Sequence, residues 1–174
     1  QFLECAPVDY NGSSSSVARS IHDAFWNEVG TADPTIIWGG YGTETGADAT
    51  EIGTGKYNTA TIRETVGLVE TEPFAAKACQ EFTLMLADET EFKDWFLPSR
   101  DELTLIQQHL VKNGLGGLSN DYGYIYCSSS EVEASTSPPS YPEYYHWGVH
   151  MYNGNALDGR EKSLGYKVRP VRAY

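Results

Sequence analysis

The chain has 174 residues, of which 40% are hydrophobic and 13% aromatic, and this composition excludes a disordered protein. Its 12 basic and 24 acidic residues give a formal net charge of −12, which disfavours nucleic acid as a partner because the phosphate backbone is also negative. No run of about 20 apolar residues is present, so we expect no insertion into a membrane. The length predicts a single domain, 1–174. Because the first residues look like a strand and not like a signal peptide, we expect this domain to be the C-terminal part of a longer protein.

Apolar residues at helical spacing predict four helices in the first two thirds of the chain. The first ends at Gly30 and the short second one ends at Gly67, since glycine commonly stops a helix. The last begins at Ser99, whose side chain can cap it, while Glu102 reaches back to the cap and completes a capping box. The predicted helices cover 16–30, 59–66, 73–87 and 99–110.

Strands are predicted near the N-terminus and, above all, in the last third of the chain. A short N-terminal strand and the apolar run 36–38 precede a long glycine-rich loop. After Gly114 the pattern changes to period two, with Pro and Ser in 131–145 interrupting it. The late predicted strands cover 122–131, 146–152 and 166–174. Helices first and strands later predict an α+β domain with an antiparallel sheet.

The motifs in this sequence that resemble those of enzymes are incomplete. The turn GTGKYNT suggests a phosphate-binding loop, but Thr50 and Tyr57 stand where the Walker pattern requires Gly and then Ser or Thr. The serines lie in runs that lack a nucleophile-elbow pattern. Asp101 and Glu102 are adjacent at a helix start and point in different directions, which makes them a poor acid–base pair. We therefore expect no catalytic residues, with a cysteine-dependent enzyme acting through Cys127 as the alternative.

Three cysteines, Cys5, Cys79 and Cys127, allow at most one internal disulfide bond, and the sequence leaves their pairing open. None of them belongs to a CxxC pair, so a structural zinc site is not expected. We expect no metal and no cofactor; the sequence leaves a structural calcium ion open, although no motif supports one.

The stretch YYHWGVHMYNGN, residues 144–155, contains two histidines four residues apart. On a helix, His146 and His150 would share a face and could share a metal ion. However, Gly148, the aromatic and β-branched neighbours, and the turn at Asn153 favour a strand. A strand rises about 3.3 Å per residue, so the two side chains would lie roughly 13 Å apart, too far for one ion.

Period two in this strand separates a core face from a candidate binding face. Tyr145, Trp147, Val149 and Met151 fall on the side expected to face the core. The alternate residues form a polar, aromatic face, whose tyrosine, histidine and asparagine side chains are those favoured by binding loops; the alternative is an ordinary solvated strand face. With their neighbours, the predicted ligand-binding residues are Tyr141, Tyr144, Tyr145, His146, Gly148, His150, Tyr152, Asn153, Asn155 and Asp158.

Several motifs occur in the order expected for one known family. They are FLECAP, WGGYGTETG, IGTGKYNT, AAKACQEFT, DWFLPSRDEL, YCSSSE and YKVRPVRAY. As a set, they make the chain resemble the bacterial Lcl C-terminal-like domain, which is the C-terminal domain of collagen-like surface adhesins. The resemblance covers nearly the whole chain. That family has a C-type-lectin-like fold. Its relatives include the variable proteins of diversity-generating retroelements and, more broadly, the formylglycine-generating enzymes.

The resemblance implies a C-type-lectin-like α+β fold with two main helices and an antiparallel sheet joined by long, ordered loops. It implies a non-enzymatic recognition domain of a surface or secreted protein, of the adhesin or receptor-binding type, with a protein or glycan as its ligand. By position, Trp147 matches the core tryptophan of the family and Gly154 its hairpin turn. A retroelement-diversified variable protein is one version of this interpretation, and a purely structural module is an alternative.

The chain also departs from the family pattern. Cys127 replaces the ring of the usual YWSSSE motif, and 16–30 and 135–145 look like insertions. The cysteine arrangement of the formylglycine-generating enzymes is missing from the C-terminal region, which argues against their oxidase activity. The calcium signatures of sugar-binding lectins are not visible either, so calcium-dependent sugar binding is not expected.

Two arginines near the C-terminus are expected to form ion pairs. Arg169 and Arg172 alternate poorly with the neighbouring valines unless acidic residues pair with them. We predict Glu131 and Glu102 as these partners.

Overall fold

The computed structural model describes residues 3–6, 35–70, 73–85, 89–118, 120–136 and 139–174. The helix predicted over 16–30 lies outside these residues. Within them the helices are α1 (Gly55–Val66), α2 (Ala75–Glu81) and α3 (Arg100–His109), followed by a 3-10 turn at Val111–Asn113. The strands are β1 (Leu3–Cys5), β2 (Thr35–Ile37), β3 (Leu84–Met85), β4 (Glu91–Phe92), β5 (Ile125–Glu131), β6 (Ser135–Thr136), β7 (Pro139–Ser140), β8 (Tyr145–His150), β9 (Ala156–Glu161), β10 (Gly165–Lys167) and β11 (Val171–Ala173).

The main sheet has five strands in the order β2-β10-β5-β8-β9. All its pairings are antiparallel except the one between β10 and β5. Three shorter antiparallel pairs accompany it in the described residues, β1 with β11, β3 with β4 and β6 with β7. The predicted α+β class is confirmed, and the sheet, predicted to be antiparallel, is mostly so because one of its pairs is parallel.

Neighbouring residues of β5 belong to two different hydrophobic cores. Cys127 packs with α1, α2 and the buried Trp38. Tyr126 packs in a second core with α3, with Val149 of β8 and with Met151, which follows the end of that strand. The sheet therefore has helices against both of its faces, and the inward positions predicted for Val149 and Met151 are confirmed.

The helix predicted over 73–87 is wrong for 82–85, and its last two residues lie outside the described ones. Phe82 has extended backbone angles, φ −65° and ψ 133°, and β3 follows it. Its ring meets Trp95 edge-on, with 5.2 Å between the ring centroids. The partners in this ring contact and in the pairing of β3 with β4 lie outside the predicted helix. These tertiary contacts outweigh the helical spacing of the apolar residues.

The predicted helix that ends at Gly67 begins earlier than expected, at Gly55. A Cβ at Gly55 would lie 2.3 Å from Oε2 of Glu102 and 2.8 Å from the backbone nitrogen of Ser99. The start of α1 thus packs so tightly on the cap of α3 that only glycine fits there. In the sequence, the same glycine indicated a turn.

The strand predicted over 166–174 is divided into β10 and β11. The break falls at 168–170, where Pro170 has no N–H to donate to a ladder. Its carbonyl accepts a hydrogen bond from Ala6 at 3.0 Å, and β11 continues as the partner of β1.

The capping box of α3 is present as predicted. The Ser99 hydroxyl accepts from the backbone N–H of Glu102, while the Glu102 carboxylate accepts from the backbone N–H of Ser99 at 2.8 Å. The Ser99 hydroxyl also donates to the carbonyl of Glu51 at 2.8 Å, which ties the cap to the preceding loop.

Replacing Ser99 with Ala is expected to lower the free energy of unfolding by about 1–2 kcal/mol, since an N-cap and a buried hydrogen bond are lost together. Urea unfolding followed by circular dichroism measures the change. Thr61→Ala, which removes the hydroxyl of a helical residue that bonds only its own helix, is the matched control and should cost less. Equal losses in the two variants would contradict the role of the cap.

The partners predicted for the two arginines are wrong. Arg172 pairs with Glu4 at 2.7 Å and lies 3.9 Å from Asp94. Arg169 is buried and donates to the carbonyls of Ala6 and Gly116 at 3.1 and 2.8 Å. The predicted acids serve elsewhere, because Glu102 belongs to the capping box and Glu131 forms a buried ion pair with Lys162.

Candidate functional site

Strand β8 is irregular on both sides at Trp147. Along β5 the register jumps, so that 128–130 lie opposite this residue, and along β9 the residues 158–159 do the same. The Trp147 carbonyl accepts instead from the Ser128 hydroxyl at 2.7 Å and from Nδ1 of His146 at 2.8 Å. These two side chains therefore satisfy the carbonyl of the residue that lies opposite both bulges.

His146 faces the interior, which corrects the prediction that it faces a ligand. Its side chain is fully buried, stacked on Trp38 with 5.6 Å between ring centroids and in edge contact with Tyr166 at 5.1 Å. Burial lowers the pKa of His146 to about 3, and the positive charges of Lys162 and Arg160 act in the same direction. Because the Trp147 carbonyl can only accept, Nδ1 carries the proton of this neutral imidazole.

Gly148 and Trp147 also differ from the expectations. Gly148 is buried, and a Cβ there would lie 2.6 Å from Cγ2 of Ile125, so the residue provides close packing between strands and no contact surface. Trp147, expected in the core, is half-buried, and the guanidinium of Arg100 lies 5.0 Å from its ring centroid. The helix that begins at Arg100 covers the core further along β8 and leaves this ring at the margin.

Four tyrosines form a continuous aromatic surface at the start of β8, which we call the tyrosine cluster: Tyr41, Tyr141, Tyr144 and Tyr145. The ring centroids of Tyr41 and Tyr144 are 5.1 Å apart, and Tyr144 lies 6.4 Å from both Tyr141 and Tyr145. Tyr41 is 54% exposed and Tyr141 49% exposed, while the other two are half-buried. Sequence reasoning found three of the four residues and missed Tyr41.

Backbone hydrogen bonds hold the two segments of the tyrosine cluster together. Gly42 donates to the carbonyl of Glu143 at 2.8 Å, which links the glycine-rich loop to the turn before β8. Within the turn, the amides of Tyr144 and Tyr145 donate to the carbonyl of Tyr141 at 3.0 and 3.1 Å. The rings are therefore set on an ordered backbone, which lowers the entropy lost when a ligand binds.

The glycine pair before Tyr41 is required by packing. Gly39 has φ +96°, and a Cβ there would lie 2.7 Å from Cβ of Phe74. Only glycine combines this conformation with such a close approach to the core. The motif WGGYG thus anchors Trp38 inside and turns the chain so that Tyr41 is left outside.

Carboxylates surround the tyrosine cluster. Glu143 lies in its turn, Glu161 pairs with Tyr145 across β8 and β9, and Glu44 is exposed on the glycine-rich loop. Desolvation, followed by the negative charge of Glu161, raises the pKa of Tyr41. The nearby Lys162 is fully buried, and its ammonium is paired with Glu131, which leaves the surface acidic.

A second aromatic group lies at the other end of β8, roughly 20 Å from the first at about 3.3 Å per residue. The ring centroid of Tyr122 lies 5.5 Å from that of His150 and 5.9 Å from that of Tyr152. Tyr122 is 85% exposed and Tyr152 61% exposed. His150 is half-buried, and its Nε2 accepts from the amide of Gly123 at 3.4 Å. The structure thus places His150 and Tyr152 away from the tyrosine cluster.

The remaining predicted site residues lie on the turn after β8 and on β9. Asn153, Asn155 and Asp158 are exposed. The side-chain oxygen of Asn153 accepts from the amide of Asn155 at 2.9 Å, so this asparagine stabilises the turn. Asp158 lies in the bulge of β9 opposite Trp147.

Cys127 cannot supply an accessible nucleophile. The residue is fully buried, and desolvation raises the pKa of its thiol to about 12, so the thiol is protonated at neutral pH. The three cysteines, all among the described residues, form no disulfide bond. The structure therefore gives no support to the cysteine-dependent alternative at this residue.

A groove of about 370 Å³ lies between β1 and α3. Its lining is mainly apolar, with Leu3, Ile52 and Leu105 on its walls and His109 beside them. Glu102 also reaches it, and desolvation raises the pKa of this carboxyl while hydrogen bonds to Ser99 and Gly53 lower it. Because the Glu102 oxygens already accept from these backbone amides, this carboxylate serves the fold and is not set aside for a ligand.

No group of residues suited to holding a metal ion occurs in the described part of the chain. Among the same residues, no helix has the length and apolar character needed to cross a membrane. A comparison with protein-family models and one with curated proteins gave no match for this chain. The candidate site is the tyrosine cluster, on the geometry of its rings and on its exposure and acidic surroundings.

Proposed function

We propose that this domain recognises a ligand without catalysing a reaction, and that the tyrosine cluster is its contact surface. The supporting observation is the arrangement of four tyrosine rings from two distant segments that backbone hydrogen bonds join, two of the rings exposed and two half-buried. Tyrosine buries a large area while losing little rotamer entropy, and it is enriched among residues that dominate binding energy.

The family resemblance extends this proposal. A C-type-lectin-like fold, related to the C-terminal domains of collagen-like adhesins, would place the protein on a cell surface or outside the cell, with a protein or glycan as the ligand. The main sheet, with helices on both faces, would be the constant frame, and the residues around β8 would carry specificity. The second aromatic group, with Tyr122, His150 and Tyr152, is a further contact region in this proposal.

Replacing Tyr144 with Ala is expected to weaken ligand binding by about tenfold or more, because this ring contacts the other three tyrosines of the cluster. The ligand is first found on an array of glycans and cell-surface proteins, and titration calorimetry then compares the variants. The matched control is Tyr57→Ala, which removes a tyrosine that is 68% exposed on α1. Unchanged affinity in the Tyr144 variant would reject the tyrosine cluster as the contact surface.

The retroelement version of the proposal has a separate test in the genome. A diversified gene would lie beside a reverse transcriptase gene and a near-copy of its own 3′ coding segment, with differences at adenines. A locus without such a copy would reject diversification and leave the recognition function in place.

A further inference from the structure

We infer that the partner is a protein and that the tyrosine cluster takes lysine and arginine side chains from a basic segment of it. This inference rests on the proposed function and names its ligand class. A cation is attracted to the face of an aromatic ring within about 6 Å of the centroid, and the attraction grows where water is excluded. Exposed rings that touch one another offer several such faces close together.

The chain itself repeatedly places cations over rings. Lys162 Nζ lies 4.5 Å from the ring centroid of Trp38, and Lys167 Nζ lies 4.4 Å from that of Tyr124. Arg172 lies 4.0 Å from the ring centroid of Phe92. The tyrosine cluster has the same ring chemistry on the outside, where a partner can supply the cation.

The carboxylates around the rings decide the sign of the partner. Glu143 and Glu161 are half-buried beside the tyrosine cluster, and Glu44 is exposed near it. Two basic residues, Lys162 and Arg160, lie in the same region as these carboxylates. The ammonium of Lys162 is neutralised by Glu131 in the interior. Arg160 on β9 is half-buried, and its Nε is buried. The surface therefore favours positive groups and repels sulfated or phosphorylated ligands, in line with the formal net charge of −12.

The contact chemistry favours a protein segment over a neutral glycan. Lysine and arginine combine an alkyl stem, which packs on tyrosine rings, with a charged end that reaches the carboxylates. A neutral sugar would leave the half-buried carboxylates of Glu143 and Glu161 without a charge partner. Charge complementarity of this kind raises the association rate and discriminates against acidic partners.

The test uses the whole chain and a fluorescent octalysine peptide, with binding followed by anisotropy at low and high salt. We expect saturable binding to the wild type that weakens as salt rises. Glu143→Gln with Glu161→Gln is expected to weaken binding about tenfold, and Tyr144→Ala by a similar factor. The matched control, Glu64→Gln with Glu89→Gln, removes the same charge from exposed positions on α1 and on the loop before β4 and should bind like the wild type.

The outcomes separate this inference from the proposed function. Equal weakening by both pairs of glutamate substitutions would mean that only net charge matters, and it would overturn the inference. Binding of heparin in preference to octalysine, still dependent on Tyr144, would also overturn it while leaving the recognition surface intact. If the array ligand binds the Tyr144 variant normally, the proposed function itself fails. Circular dichroism spectra that match the wild type establish that each variant is folded.

Discussion

Replacing Glu131 with Ala is expected to lower the free energy of unfolding by about 3–5 kcal/mol, which makes it the most damaging of the substitutions considered. The carboxylate accepts from the amides of Thr45 and Gly46 at 2.9–3.0 Å and pairs with the Lys162 ammonium, whose side chain is fully buried. Removing it would leave the Lys162 ammonium, which still donates to the carbonyl of Thr43 at 2.8 Å, without a counter-charge, and two backbone donors without an acceptor. Chemical denaturation of the wild type and the variant measures the difference.

A double substitution separates the cost of the unpaired charge from the other losses caused by Glu131→Ala. Lys162→Met removes the ammonium, so Glu131→Ala combined with Lys162→Met should be more stable than Glu131→Ala alone. The double variant should still be less stable than the wild type, because the amides of Thr45 and Gly46 stay unsatisfied. A single Glu131 variant that unfolds within about 1 kcal/mol of the wild type would show that the pair contributes little.

The stability of the protein is expected to fall as the pH falls from 6.5 towards 3, in part because of His146. Its folded pKa is lowered from 6.5 to about 3 by burial, so between these values the unfolded chain binds a proton that the folded chain does not. This residue therefore contributes stability that is complete above pH 6.5 and is lost on acidification, by up to about 1.4 kcal/mol per pH unit.

Comparison of variants isolates this contribution from that of the carboxylates. His146→Phe keeps a ring against Trp38 but cannot be protonated. Between pH 6 and 4, the number of protons taken up on unfolding should therefore be lower by about one than in the wild type, and the unfolding free energy should depend less steeply on pH. The variant is also expected to be less stable at pH 7, since the hydrogen bond to the Trp147 carbonyl is lost. Val149→Ala, a substitution in the same strand that removes no titratable group, should keep the slope of the wild type. Identical slopes in the wild type and His146→Phe would contradict a buried, neutral imidazole.

Local signals in the sequence were enough for part of the fold. The capping box at Ser99 involves residues three apart, so the start of α3 could be predicted. The alternation around Val149 predicted an extended strand, and β8 is extended. The end of α2 could not be predicted in the same way, because it depends on the contact between Phe82 and Trp95.

The candidate site was harder to predict because it depends on contacts between distant segments. Tyr41 joins the other tyrosines only through the pairing of the glycine-rich loop with the turn before β8. Strict alternation placed His146 outside, whereas the bulges around Trp147 and the stacking on Trp38 bury it. No residue pattern within 144–155 carries information about that distant indole.

The bulge in β9 has a consequence for self-association. In the sheet formed by the described residues β9 is an outer strand, and its outward N–H and C=O groups could template the addition of a strand from another copy. At 158–159 the ladder is interrupted, Gly159 has φ +67°, and the charged residues Asp158 and Arg160 flank it. A charged strand edge with an interrupted ladder resists edge-to-edge polymerisation between copies of the chain.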